Sequence, residues 1–170
     1  MQTYRRLLLA AAGTVALSAA ASQASAQDSA VASASASVSV VAPVSVVKEA
    51  DLAFGRVIRP SSGSTVYTID EATGAPSATG GNGAFFPGGT TGRATFTVFG
   101  SGGAAYTIAV DPTVVTDGIT INLVQSAAGG NLGAGAVGTA TFGVGGNVTL
   151  ASNAPLGAHS GSFVVTINYP

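Results

Sequence analysis

The sequence predicts an all-β fold of antiparallel strands. Short runs in which apolar and polar residues alternate recur along the chain, separated by glycine, proline, asparagine or serine. Beyond residue 27, no amphipathic segment shows the helical period of about 3.6 residues. Only 8% of the residues are charged, so serine, threonine and glycine must solvate the surface, as they commonly do on sheets. About eight strands at this spacing predict an immunoglobulin-like β-sandwich.

The first 26 residues have the pattern of a secretory signal peptide. An apolar run follows Arg5 and Arg6, and Ala24-Ser25-Ala26 is a small-residue cleavage site. We therefore expect cleavage before Gln27 and export to the periplasm, then to the cell surface or the exterior. A transmembrane helix is the weaker interpretation, because the apolar run is short and interrupted by glycine, threonine and serine.

Charge and cysteine content narrow the possible functions. Without the two arginines of the leader, the chain has four basic and seven acidic residues, which gives a net charge of about −3. The basic residues form no patch that could bind nucleic acid. The chain contains no cysteine, so an exported domain must be held by burial and backbone pairing alone. We expect no nucleic-acid partner and no stable membrane insertion.

The alternating runs define the strands and the turns between them. The predicted strands are residues 40–47, 52–58, 64–69, 94–99, 105–110, 119–124, one or two strands within 139–151, and residues 163–169. Residues 94–99 and 105–110 are expected to form a hairpin. Asp117-Gly118 is a strong turn signal before the strand that follows it.

Residues 70–92 are predicted to form a long loop rich in glycine, serine, threonine and proline. Phe85 and Phe86 stand in its middle. They either plug the open end of the sandwich or form an exposed contact. The plug is the favoured interpretation, because aromatic side chains are more often buried than exposed for binding.

The closing strand, residues 163–169, carries apolar side chains at alternate positions, which places them on one face. These side chains are Phe163, Val165, Ile167 and Tyr169. Gly157 supplies a flexible point just before the strand. Because the strand ends the domain, we expect an unpaired sheet edge there, and such edges attract another strand.

Residues 27–39 form an extension with the same alternation. Its apolar positions are Ala30, Ala32, Ala34, Ala36 and Val38, and serine fills most positions between them. Continued into the first strand, this pattern is too long for one sandwich to bury, so we assign residues 40–170 to the domain. A flexible tether and a strand for another molecule's sheet both remain open interpretations.

The motifs that could form a catalytic or cofactor site lack the neighbouring residues that such a site needs. Gly133–Gly138 matches the dinucleotide fingerprint, but a strand is predicted after it and no acidic residue follows Asp117. His159, the only histidine, lies in a predicted turn with no assignable buried acid or activated serine, which favours a solvated histidine. One histidine without cysteine cannot form an ordinary zinc site. We expect no enzymatic activity, no cofactor and no bound metal.

Several short motifs together resemble the secreted bacterial family DUF4402, over roughly residues 38–169. They are Leu52-x-Phe54-Gly55-x-Val57, Ala94-x-Phe96-x-Val98-x-Gly100, Tyr106-x-Ile108, Phe142-Gly-Val-Gly145, Gly157 and Gly161-x-Phe163-x-Val165-x-Ile167-x-Tyr169. The family name implies no activity.

The C-terminal residues also resemble those of chaperone–usher pilus subunits. In that family a glycine stands fourteenth from the end and an aromatic residue is penultimate, as Gly157 and Tyr169 are here. The resemblance implies a pilin-like fold that lacks its last strand, with a neighbour's extension filling the gap after a periplasmic chaperone has held it. The extension departs from that family in using alanine where larger side chains are usual, and the common disulfide is absent.

We therefore expect a non-enzymatic, pilin-like subunit of a surface fibre that assembles with copies of itself or with related subunits. Even-numbered residues from Ala30 to Val38 would be donated to the groove beside Phe163–Tyr169 of the next copy. The alternative is a monomeric cell-surface or periplasmic binding module, adhesin-like, whose loop at 70–92 contacts a ligand through Phe85 and Phe86.

Overall fold

The computed structural model of the chain describes residues 30–170, and these residues confirm the all-β prediction, with twelve strands and no helix. The strands are β1 Ser45–Ala50, β2 Val57–Ile58, β3 Ser64–Ile69, β4 Pro76–Thr79, β5 Ala84–Phe85, β6 Ala94–Ser101, β7 Ala105–Val110, β8 Thr113–Thr116, β9 Ile119–Gln125, β10 Gly129–Asn131, β11 Val137–Ala151 and β12 Val165–Asn168. The strands outside the predicted ranges, β4, β5, β8 and β10, are short, two to four residues each.

Residues 39–170 form one compact unit. Residues 30–38 belong to a separate unit, and they are exposed and form no strand. The predicted signal peptide, residues 1–26, lies outside the described residues. Across residues 30–170, no helix has the length and apolarity needed to cross a membrane.

All strand pairs are antiparallel, and two sheets face each other. The larger sheet follows the path β1-β6-β11-β3-β4, with β9 on the opposite side of β11 and β8 beyond β9. The smaller sheet has the order β10-β7-β12. Apolar side chains of β6 and β11 pack against those of β7 and β12, so the core lies between the two sheets, as in a sandwich.

Strand β11 links the two ends of the larger sheet. Its first half pairs with β6 and its second half with β3, while β9 occupies its other edge. Glycine is required at Gly143 and Gly145, since a Cβ there would collide with the carbonyl oxygens of Glu71 and Ile69. The sequence predicted either one strand or two in this region, and the structure contains one strand of 15 residues.

The expected hairpin between residues 94–99 and 105–110 is wrong. Strand β6 pairs with β1 and β11, whereas β7 pairs with β10 and β12, so the two strands lie in different sheets. The turn between them is tight, with the Ala104 amide donating to the Ser101 carbonyl over 3.1 Å. Both strands have one buried face, and crossing between sheets lets those faces cover each other.

Several other boundaries also differ. Residues 52–58 were expected to be a strand, but only β2 and an isolated bridge between Ala53 and Gly92 form there, because Gly55 takes a left-handed φ of +64°. Strand β1 begins at Ser45 rather than residue 40, and β12 covers only Val165–Asn168 of the predicted 163–169. The predicted loop at 70–92 contains β4 and β5.

Phe85 and Phe86 have different environments. Phe85 packs edge-on against the fully buried Tyr67, with ring centroids 5.5 Å apart, and so covers the end of the smaller core cluster. Phe86 remains 42% exposed, with the Arg56 guanidinium 4.3 Å above its ring. Nearby, the buried Thr65 hydroxyl donates to the Gly80 carbonyl over 2.9 Å, which anchors the segment that leads to Phe85.

Candidate functional site

Two strands at one side of the sandwich are paired on only one edge. Strand β12 pairs only with β7, and β1 pairs only with β6, among the strands of residues 30–170. Tyr169, just after β12, reaches Ala42, just before β1, so the two free edges border the same gap. We call the space between β1 and β12 the edge gap.

The backbone groups that face the edge gap follow from the hydrogen-bond register. The Ile108 amide of β7 donates to the Ala128 carbonyl over 2.8 Å, so Ile108 directs its backbone away from β12. Ile167 lies directly opposite Ile108, so in an antiparallel ladder its own N–H and C=O point away from β7. The same alternation applies to Val165, so both residues present unpaired backbone groups at the edge.

The core-facing side chains of this region are only half-buried. Phe163, Val165, Ile167 and Tyr169 all pack against the larger core cluster, yet none is fully covered. The Phe163 ring meets the Phe96 ring edge-on at 6.2 Å. The absence of a second neighbour for β12 within residues 30–170 explains this partial burial, because a strand there would cover the exposed flank.

Tyr169 closes one end of the edge gap. Its hydroxyl donates to the Ala42 carbonyl over 2.9 Å and accepts the Ser101 amide over 2.7 Å. Gly100 makes room for this arrangement, since a Cβ at that position would collide with the hydroxyl. The sequence placed Tyr169 in a groove for a partner strand, and the structure adds a bridge between the two sheets.

At the opposite end, the edge gap widens into a cavity of about 880 Å³. Its walls come from β8, β9 and β11 on one side and from residues 51–57 and 157–163 on the other. The apolar lining residues are Leu52, Ala53, Phe54, Val57, Ala94, Val114, Ile119, Ile121, Leu123, Val148, Leu150, Ala158 and Phe163. They belong to both core clusters or lie beside them, so the cavity lies where the core divides.

The cavity is open to solvent, so its apolar walls are not fully covered. Each Å² of apolar surface left in contact with water forgoes about 25 cal/mol of burial free energy. An apolar occupant would recover that free energy.

His159 lies on the cavity rim with both ring nitrogens engaged. Nδ1 is 2.9 Å from a carboxylate oxygen of Asp117, and Nε2 is 3.3 Å from the Pro155 carbonyl oxygen. Both partners are acceptors, so the ring satisfies both contacts only as the imidazolium. The hydrogen bond that the His159 ring donates to the Asp117 carboxylate raises the pKa of His159 above its ordinary value of 6.5.

This geometry differs from that of a catalytic histidine and from the solvated histidine that the sequence predicted. A general base needs a free nitrogen directed at a nucleophile, whereas Nε2 of His159 faces a backbone carbonyl. The side chain is only 18% exposed. It ties the segment before β12 to Asp117, which follows β8 with a left-handed φ of 48° in the predicted Asp-Gly turn.

The other predicted site residues are spread along the chain. Gly157 lines the cavity and takes a left-handed φ of +128°. The residues of the predicted donated strand, Ala30, Ala32, Ala34, Ala36 and Val38, are exposed and unpaired in the structure. The last two residues of Gly133–Gly138 are the first two of β11, and the strand continues through the residues where one was expected. Sequence reasoning missed Ala42, Asp117 and the cavity walls, since nothing local marks a contact between distant segments.

These features define the class of protein by its fold alone: an antiparallel β-sandwich with a free strand edge beside an open apolar cavity. A family model matches residues 44–169, and the chain belongs to that family, described as a domain of unknown function (DUF4402). The match confirms the resemblance seen in the sequence. No curated protein and no solved structure matches the chain.

Replacing Tyr169 with Phe tests the bridge across the edge gap. The change leaves the Ala42 carbonyl and the Ser101 amide without their partner, so we expect unfolding in urea to show a loss of about 1–3 kcal/mol. Tyr106→Phe is the matched control, because the Tyr106 hydroxyl makes no hydrogen bond to residues 30–170. Equal losses in the two variants would contradict the bridge.

The His159–Asp117 contact predicts a pH dependence with a defined sign. Because its pKa is raised in the folded state, His159 stabilises the fold fully below pH 6.5 and loses this effect as the pH rises through the folded pKa. We expect wild type to melt above His159→Gln at pH 6, with the difference shrinking towards pH 9. Circular dichroism melts in that range measure it, with Asp117→Asn expected to behave like His159→Gln. A difference that grows with pH would contradict the prediction.

Proposed function

We propose that the protein is an exported, non-enzymatic, pilin-like subunit of a bacterial surface fibre that assembles by strand donation. In this proposal the extension of one copy enters the edge gap of the next and pairs with the free edge of β12. The observation that carries the proposal is the unpaired backbone of Val165 and Ile167 beside half-buried core side chains.

The extension has the properties that a donated strand needs. Residues 30–38 are exposed and form no pairing in the structure, so their backbone groups are free to bond with another chain. Alternation of alanine or valine with mostly serine gives one apolar and one polar face, and this period of two would set the register. Backbone hydrogen bonds would provide most of the affinity, because alanine side chains bury little surface.

The proposal includes export, passage through the periplasm with a chaperone, and assembly with other copies or related subunits. The leader supports export, and the low charge and free edge support assembly through β-pairing. The arrangement of His159 supports a structural role over a hydrolytic one.

Deleting residues 27–39 tests the donor. The remaining residues include all of the compact unit except Ser39, so we expect a folded protein that no longer forms oligomers. Light scattering measures the molar mass, and circular dichroism confirms the β structure. Persistence of the same oligomers after the deletion would refute strand donation.

A matched pair of point variants tests the face of the extension. Ala34→Asp places a carboxylate on the face expected to enter the gap, whereas Ser35→Asp places it on the solvent face. We expect Ala34→Asp to raise the protein concentration needed for oligomer formation at least about tenfold. Ser35→Asp should leave that concentration nearly unchanged. Equal effects would exclude an alternating, strand-like insertion.

One observation favours a second candidate, a monomeric binding module. Phe86 is 42% exposed and stacked under Arg56, an arrangement suited to contact with a ligand from the 70–92 segment. Phe85 does not share this position, because it packs on Tyr67.

Phe86→Ala separates the two candidates. A binding module would lose its contact with bacterial-surface glycans on an array while keeping its molar mass, and Phe85→Ala would mainly lower stability. In a strand-donating subunit, Phe86→Ala should leave the oligomers unchanged, since Phe86 lies outside the edge gap. Loss of oligomers in Phe86→Ala would count against the donation model.

A further inference from the structure

We propose that the cavity beside residues 157–163 binds a single-chain amphiphile with an anionic headgroup, of the fatty carboxylate class. The cavity volume of about 880 Å³ falls within the roughly 300–1,000 Å³ of small-molecule pockets. The site is distinct from the pairing edge of β12, and the inference does not depend on strand donation.

The interior of the cavity suits an aliphatic chain. Four of its wall residues are buried, with 1–8% of their surface exposed, and all have hydrocarbon side chains: Ala94, Val114, Val148 and Leu150. Inward residues of β9 complete the same wall. Within residues 30–170, no buried side-chain nitrogen or oxygen lacks a hydrogen-bond partner, so the interior offers nothing for a polar ligand to satisfy.

The charged residues that line the cavity are exposed or lie near its rim. Their charges determine which ligand headgroup can bind there. Lys48 pairs with Asp51 over 2.6 Å, and His159 pairs with Asp117. Arg56 also lines the cavity, yet among residues 30–170 no carboxylate lies within ion-pair distance of it. A ligand carboxylate would give Arg56 a charged partner, and its planar guanidinium suits that geometry.

A donated strand does not fill this cavity well. The extension offers mainly methyl groups from alanine, which reach only a short distance beyond the backbone. The unpaired edge that would hold such a strand lies at Val165 and Ile167, whereas the cavity lies against the preceding residues 157–163. A separate occupant with a long apolar chain fits the remaining space.

The proposal is tested by calorimetric titration of the full exported chain, from which bound lipid has first been extracted with organic solvent. The titrants are dodecanoate and dodecanol, each below its aggregation concentration. We expect one dodecanoate per chain and at least about tenfold weaker binding of dodecanol, because only the carboxylate pairs with Arg56. Arg56→Gln should abolish this preference. Arg59→Gln is the control, since Arg59 donates to the Ala154 carbonyl over 2.7 Å and does not line the cavity.

The cavity itself is tested by filling it. Ile121→Trp should prevent binding of both ligands while circular dichroism shows the β fold, and the smaller change Ile119→Phe should weaken binding if Ile121→Trp fails to fold. Absence of dodecanoate binding to wild type, equal affinity for dodecanol, or binding unchanged in a folded filled variant would each overturn the proposal.

The extension of a second copy is the competing occupant of the cavity, and it predicts a different binding result. In that case the purified oligomer takes up no dodecanoate, while the variant lacking residues 27–39 binds it, and the amphiphile proposal falls. Uptake of one dodecanoate per chain by both forms supports it. If the deletion abolishes the oligomers but not dodecanoate binding, the ligand site is supported. Oligomer formation and ligand binding therefore test the two proposals separately.

Discussion

The position of β12 at the border of its sheet is the constraint on which the rest of the structure depends. Its backbone bonds to β7 on one side, and no strand of residues 30–170 bonds to it on the other. Consequently Val165 and Ile167 keep free backbone groups, and the core beneath them is only half covered. The edge gap follows from this one-sided pairing, and the cavity lies at its end, against residues 157–163.

Side-chain hydrogen bonds hold this region where a second strand would otherwise do so. The Asp111 carboxylate accepts the Val164 amide over 2.8 Å, and the Thr116 hydroxyl donates to the Ser160 carbonyl over 2.9 Å. The Tyr169 hydroxyl and the His159 ring secure the two ends. These contacts keep the segment in place while leaving the edge of β12 accessible, which a structural subunit or a ligand-binding protein could each use.

Local patterns predicted local structure well. Residues 64–69 and 105–110 are strands with the predicted bounds, and Asp117-Gly118 forms the expected turn with left-handed φ values of 48° and 79°. The hairpin between 94–99 and 105–110 was wrong, because alternation shows that a strand has two faces but not which strand lies beside it. Residues 52–58 failed as a strand, since Leu52 and Phe54 can face the core from irregular backbone as well.

The candidate site was predicted in part. The half-buried face of Phe163, Val165, Ile167 and Tyr169 was readable from the period of two, whereas the cavity was not. The sequence by itself determined the fold class, the alternating faces of its strands and its low charge, because these depend on residue type and spacing. Only the tertiary structure decided that Ile121 and Phe163 face one cavity and that Tyr169 joins Ala42 to Ser101. Such contacts join residues far apart in the chain, and spacing along a sequence carries no information about which distant segments meet.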